Sequence, residues 1–294
     1  MNKVLKFFAF LSVLLVSGSF TFEKVDYRTA KNKNVCKDMK HDILIYAIFV
    51  DTRSTAPWSA FDIKSTLDSL SLAKKWLLEQ ARKNNVPLVI KTDYYIGKDV
   101  STVNKNLPSG SVEKSAQNPN FKKGLKELND WADFIARKVG SSFNITQKDG
   151  IPEVKNPRNK ERLIAWLRDE YKVESVALLF FVNNYYKTDI SLQVNTMNSD
   201  DVEFSIVSYK YPSEIAHNVL HLYGAADMYK TLYRRNDKKI KKLAEMCPNE
   251  VMMECFARNI REMEISEYTR YLIGWQDTYD AKWTDLFTDK NINF

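Results

Sequence analysis

DILIYAIFVD (42–51) is an unbroken apolar run of strand length with an aspartate at each end. A run of this kind suits a strand buried on both faces, the condition found in sheets covered by helices. PLVIKTDYYIG (87–97) reads as a second strand and ESVALLFFVN (174–183) as a third, deeply buried one. Between them the apolar spacing changes to that of helices. Leu70, Ala73, Leu77 and Ala81 mark one within 66–83. Leu125, Leu128, Ala132, Ile135 and Val139 mark a strongly amphipathic second, and Leu163, Trp166, Leu167 and Tyr171 a third after Pro157. DISLQVNT (189–196) and VEFSIVSY (202–209) alternate apolar with polar residues, as half-exposed strands do. Residues 98–120, with Pro108, Gly110 and Pro119, read as a long polar loop. Strands alternating with helices, closed on one side by half-exposed strands, predict an α/β fold with a mixed sheet. There is no internal repeat and no domain linker, so one domain is expected over 41–280, followed by a tail at 281–294.

The N-terminus predicts export. Lys3 and Lys6 precede the ten-residue apolar stretch FFAFLSVLLV (7–16), and the small residues SGS (17–19) offer a cleavage site. Ten residues are too few to span a bilayer comfortably, an uncleaved anchor being the alternative reading, and no later segment is long enough, so no membrane span is expected in the mature chain. Residues 20–40 read as a polar, lysine-rich lead-in. The formal charge is +7, a mild bias towards acidic partners or surfaces. Hydrophobic residues make up 44% of the chain, enough for a packed core and too many for a disordered chain. The cysteines are Cys36, Cys247 and Cys255. Export permits a disulfide, three cannot all pair internally, and buried free thiols are the other reading. No CxxC pair exists to build a cysteine-type zinc site.

The chain has three histidines, and two of them, His217 and His221, lie in HNVLHLYGAAD (217–227). This stretch reads as a helix following Pro212, with Ser213 as its N-cap and Gly224 as its breaker. Histidines four apart share one helix face. A chain reversal at Gly224 brings Asp227 back towards them. Two imidazoles and a carboxylate suit Zn2+ and leave a fourth coordination position open. With His41 as the remaining histidine, a serine or cysteine triad is disfavoured. Downstream, CPNEVMMECF (247–256) reads as a turn carrying methionines, and ISEYTRYLIGW (265–275) as a last helix with Ser266 near its start.

HNVLHLYGAAD resembles the zinc-binding motif HExxHxxGxx(H/D) of the metzincin clan of metallopeptidases. The aspartate as third ligand is similar to the short motif of snapalysins. PNEVMM (248–253) resembles the clan's Met-turn, with Met252 the better match and Met253 the other candidate. The close match covers about residues 214–255. The resemblance implies a twisted mixed sheet backed by helices, a zinc helix, a Met-turn beneath the metal and a C-terminal helix.

Asn218 departs from the motif, standing where zinc peptidases carry a glutamate that takes a proton from the attacking water. Asparagine is neutral and cannot accept that proton, although it still forms hydrogen bonds. Loss of a positioned general base costs on the order of 10²–10⁴ in rate. Glu214, one turn before His217, should lean away from the metal. Glu254 lies two residues after Met252, where astacins and serralysins carry a tyrosine that reaches the zinc, and is the candidate substitute as ligand or base.

VEFSIVSY reads as an edge strand along which an extended peptide or protein segment can bind. RRNDKKIKK (234–242) has six basic residues in nine and reads either as a solvated face or as a dock for an acidic partner. It lacks the interleaved aromatics of a single-strand binder, there is no phosphate-binding glycine loop, and no nucleic-acid partner is expected. Three readings remain: an exported zinc pseudo-peptidase that works by binding, an active zinc endopeptidase using Glu254, and a metal-free envelope interaction protein.

Overall fold

The computed structural model describes residues 36, 38–53, 55–97, 103–115, 120–145, 150–151, 154–183, 189–195, 201–208, 210–231 and 236–287. The expected signal peptide (1–19), most of the lead-in, residues 234–235 of the basic stretch and residues 288–294 lie outside them.

β1 (His41–Asp51) is the centre of the fold. Its residues alternate between two cores. Ile43, Ile45, Ala47 and Phe49 enter one, and Leu44, Tyr46, Ile48 and Val50 the other. A strand buried on both faces needs helices on both sides. α1 (Ala60–Lys83) covers the first face through Ile63, Leu70, Ala73, Trp76, Leu77 and Ala81. α3 (Phe121–Ser142) and α4 (Asn159–Tyr171) cover the second. α1 begins with a reciprocal capping box, in which the Ser59 hydroxyl accepts from the Asp62 amide and the Asp62 carboxylate accepts from the Ser59 amide.

The described residues form an open mixed sheet of six strands, ordered β2–β1–β4–β6–β5, with β3 (Val103–Asn104) beside the end of β1. β2 (Leu88–Tyr95) and β4 (Ser175–Val182) run parallel to β1, β6 (Phe204–Val207) runs parallel to β4, and β5 (Ser191–Val194) pairs antiparallel to β6. The expected α/β class with a mixed sheet is what the chain adopts.

The edge lies elsewhere than expected. Residues 204–207 are interior, paired to β4 on one side and β5 on the other, and every one of them is buried. Among the described residues the sheet ends at β2 on one side and at β5 on the other, and residues 204–207, paired on both sides, present no free edge. The misleading residue is Ser205, whose polarity suggests solvent. Its hydroxyl instead donates to the Asn218 carbonyl at 3.5 Å, and its small side chain lets the next helix lie close against the strand.

The polar loop expected over 98–120 contains β3 and the short helix α2 (Ser111–Ser115). α2 lies against Gly124 of α3, where a Cβ atom would stand 2.4 Å from the Ser115 amide nitrogen. The core also passes both expected domain bounds. Met39 is buried and its carbonyl accepts from the Trp275 indole at 2.7 Å. In the expected tail, α8 (Lys282–Phe287) buries Trp283, Leu286 and Phe287. All three cysteines are free thiols, Cys36 and Cys255 being buried and Cys247 half-buried. No helix among the described residues is long and apolar enough to cross a membrane.

Candidate metal centre

α5 (Pro212–Leu222) follows β6 and is buried on all sides from Ser213 onward. Pro212 occupies its first turn, where a fixed φ and a missing amide hydrogen carry no penalty. Tyr211 is therefore the N-cap residue, and the expected cap Ser213 lies within the first turn, its hydroxyl donating to the Cys255 carbonyl at 2.9 Å. Ile215, Ala216, Val219, Leu220 and Leu222 pack into the core shared with α1.

The helix ends as the glycine predicted. Gly224 takes φ +95°, a left-handed value suited to glycine. Its amide donates to the His221 carbonyl at 2.9 Å, and the Ala225 amide to the Leu220 carbonyl at 3.0 Å. These are the paired bonds of a Schellman reversal. The reversal also orients a ligand, because the Ala225 carbonyl accepts from His221 Nδ1 at 2.9 Å. His217 Nδ1 donates to the Val251 carbonyl, also at 2.9 Å.

A carbonyl oxygen only accepts, so each Nδ1 carries the ring proton and each Nε2 is left with a bare lone pair. The two Nε2 atoms lie 2.9 Å apart. Asp227 Oδ1 stands 3.3 Å from His217 Nε2 and 3.0 Å from His221 Nε2, buried and without a donor of its own. Three acceptors facing one another in a largely buried site repel unless an electrophile, a proton or a cation, lies between them. Their ligand atoms fall within 4.8 Å of one another, so the group can hold a metal ion. A backbone carbonyl behind each imidazole is the usual support of a metal-binding histidine. Burial opposes a charge on His217, but Cys255 and Asp227 outweigh it and raise its pKa well above the ordinary 6.5. Burial likewise opposes ionisation of Asp227, and the imidazoles of His221 and His217 outweigh it and hold its carboxyl far below the usual range.

Asn218 faces away from solvent beside these groups, 1% exposed. Its Nδ2 donates to Ser191 Oγ at 2.7 Å and to the Glu214 carbonyl at 2.9 Å, which commits both amide hydrogens. Flipping the amide would set its oxygen against the Glu214 carbonyl, so this orientation is fixed. Ser191 Oγ in turn donates to Glu214 Oε2 at 2.8 Å, and Cys255 Sγ to Glu214 Oε1 at 3.3 Å. Glu214 is thus held by Ser191 of β5 and Cys255 of the methionine turn, and it is not among the three grouped ligands. Glu254 is exposed and is not brought together with them. The turn directs the next residue, Cys255, inward.

That turn is the floor of the site. Val251 and Met252 are fully buried, whereas Met253 is half-buried. The Met252 carbonyl accepts from the Met228 amide at 2.8 Å, tying the floor to the Asp227 segment. Met252→Ala should therefore cost about 2–5 kcal/mol in unfolding experiments, and Met252→Leu under ~1.5 kcal/mol. Met253→Ala should cost less than Met252→Ala; the reverse ranking would assign the floor to Met253.

Glu250 anchors the floor from below. Its Oε1 accepts from the Met252 amide at 3.3 Å and from Thr269 Oγ1 at 3.1 Å, and its Oε2 accepts from the Ser266 amide at the start of α7 (Glu267–Leu272). These donors favour the carboxylate, but complete burial outweighs them and raises its pKa from 4.5 to about 7. The folded state therefore binds this proton more tightly than the unfolded chain. The resulting stability is fully present below pH 4.5 and is lost as pH rises through about 7. At ~1.4 kcal/mol per pH unit the gap amounts to roughly 3 kcal/mol. Glu250→Gln does not titrate. Urea unfolding at pH 5 and pH 8 should show the stability difference between wild type and variant moving by roughly 3 kcal/mol, in the variant's favour at pH 8. A pH-independent difference would rule this out.

Four residues of the site lacked a sequence signal of their own. Ser191, Glu250 and Cys255 reach it only through the fold. Tyr229 follows Asp227 by two positions, and its ring centroid lies 6.1 Å from that of His217.

Comparison with known protein families and with curated proteins finds no match for this chain. Fold and site together define an α/β protein with a buried His–His–Asp group able to hold a metal ion.

Proposed function

We propose that the protein is an exported, metzincin-like zinc protein that binds extended peptide and has lost most peptide hydrolysis. The observation that carries the metal reading is the convergence of His217 Nε2, His221 Nε2 and Asp227 Oδ1 with both Nδ1 atoms committed to carbonyls. Two imidazoles and one carboxylate suit zinc. The order of elements supports the metzincin reading: a mixed sheet with an antiparallel edge strand, the histidine helix after it, a buried methionine floor and a C-terminal helix. A zinc ion held there supplies Lewis-acid polarisation of a carbonyl or of water. The chain's own groups restrict the proton transfers available beside it. Asn218 has no basic atom and spends both amide hydrogens on Ser191 and Glu214, so it cannot take up a proton. Glu254, the alternative base, is exposed.

β5, as the sheet's edge beside α5, offers main-chain groups to an added strand. The exposed Lys238, Lys241 and Lys242 of α6 (Asp237–Met246) offer a dock for an acidic partner. Export rests on the charged, then apolar, then small-residue pattern of 1–19. Elemental analysis of the purified protein tests the proposal first, with one zinc per chain expected. Turnover of a broad peptide library tests the rest, with binding and little cleavage expected. Protein that neither contains nor takes up zinc would sink the metal reading, and efficient zinc-dependent cleavage would sink the loss of activity.

A further inference from the structure

Three cations converge on the half-buried ring of Phe134 in α3. Lys105 Nζ stands 3.8 Å from the ring centroid, the Arg137 guanidinium carbon 5.1 Å and Lys138 Nζ 5.6 Å. The electron-rich face of an aromatic ring attracts cations and so gathers them. The gathered charges repel one another.

The fold builds this cluster from two elements. Lys105 directly follows β3, and its backbone is pinned on both sides. Its amide donates to the Asp51 carbonyl at the end of β1 at 2.9 Å, and its carbonyl accepts from the Trp131 indole of α3 at 3.2 Å. Trp131 precedes Phe134 by three positions, so the bond that holds Lys105 delivers its side chain to the ring. Arg137 and Lys138 follow Phe134 by three and four positions on the same helix face.

The carboxylates best placed to neutralise them are committed elsewhere. Asp130 and Asp133 lie four residues before Phe134 and Arg137. Asp130 pairs with Lys126 at 3.0 Å and with Arg158 at 2.9 Å. Asp133 accepts from the Asn159 amide at 2.8 Å, from Asn159 Nδ2 at 2.7 Å and from the Lys160 amide at 3.2 Å. Among the described residues no carboxylate forms an ion pair with Lys105, Arg137 or Lys138. A guanidinium fork and two ammonium groups suit an anion whose several oxygens accept from several donors at once.

We infer that Lys105, Arg137 and Lys138, gathered by Phe134, form a binding site for a tetrahedral oxyanion, the phosphate or sulfate group of an external ligand. The site lies across the sheet from the metal centre, since α3 packs into the second core and α5 into the first. It does not depend on the metal or on peptide binding.

Calorimetric titration of the full chain with inorganic phosphate and, separately, with inorganic sulfate at low ionic strength tests it. At least one should bind, and the tighter of the two names the group that the ligand carries. Arg137→Gln and Lys138→Gln should each weaken binding by about tenfold, the loss of one charge-assisted hydrogen bond. Both side chains are exposed, so the melting temperature should hold. Phe134→Leu keeps all three charges but removes the ring that gathers them, and it should weaken binding too. Lys75→Gln removes the same charge from an exposed position on α1, on the other face of the sheet, and should leave the affinity unchanged. Binding of neither anion would overturn the inference. Binding that Arg137→Gln and Lys138→Gln leave within about twofold of wild type would also overturn it, by placing the anion elsewhere, the metal included. An equal loss in Lys75→Gln would overturn it as a response to net charge alone.

Discussion

His217→Ala abolishes stoichiometric zinc uptake at micromolar protein. The expectation rests on how the site is divided among the elements. His217 and His221 come from one rigid helix, whereas Asp227 comes from the segment after the reversal. Removing one imidazole leaves a single nitrogen and a side chain whose backbone hangs from the floor. Zinc bound by a complete set of protein ligands is held by roughly 10–16 kcal/mol, so losing one of three ligands removes several orders of magnitude in affinity. Alanine has a second consequence. The Val251 carbonyl loses the donor it has at 2.9 Å, and an unpaired buried carbonyl costs about 1–3 kcal/mol. Loss of metal must therefore be separated from loss of fold. His217→Gln retains an N–H near Val251 while removing the imidazole. It should fold better than the alanine variant and bind no more zinc. Retention of one zinc per chain by either folded variant would place the metal elsewhere.

Much of this centre was legible because its spacing is local. Histidines four apart, a glycine three on and an aspartate three beyond that fix a helix face, a reversal and a returning side chain within eleven residues, and the structure brings those groups together. β1, β4 and the helices α1, α3 and α4 were legible for a similar reason, since each is long enough for its periodicity to show. The elements that escaped depend on distant neighbours. β3 has two residues and exists by pairing with Val50 and Asp51. α8 is short and stands on the ring of Tyr268, stacked at 5.8 Å from Trp283. The position of β6 turned on Ser205, a polar residue hidden by a helix. Counting from Met252 pointed to Glu254, but a turn offers no fixed face, and it is Cys255 that turns inward.

Asn218→Glu should create or raise peptide hydrolysis, by as much as ~10²–10⁴ if the new carboxylate reaches the position of a general base. The surroundings set how much of that gain appears. Asn218 is not an isolated exchange, because its amide fills the gap between Ser191 and the Glu214 carbonyl. A glutamate there is longer by one methylene and acceptor-only. It loses both donated bonds, and it competes with Glu214 Oε2 for the Ser191 hydroxyl, which has one hydrogen to give. Two carboxylates so close in a buried place cannot both ionise freely, and one of them is driven to hold a proton. Glu214, 5% exposed, and its new neighbour would then share a proton, which weakens the base. The single variant should therefore gain less than the double variant Asn218→Glu/Glu214→Gln, in which the glutamine amide donates where the second carboxylate repelled. The ranking expected for zinc-dependent cleavage of a peptide library is wild type, then the single variant, then the double. If the single and double variants both remain inactive while binding zinc normally, the missing carboxylate is not what limits hydrolysis. If wild type already cleaves as fast as the double variant, the proton is taken by a group other than residue 218.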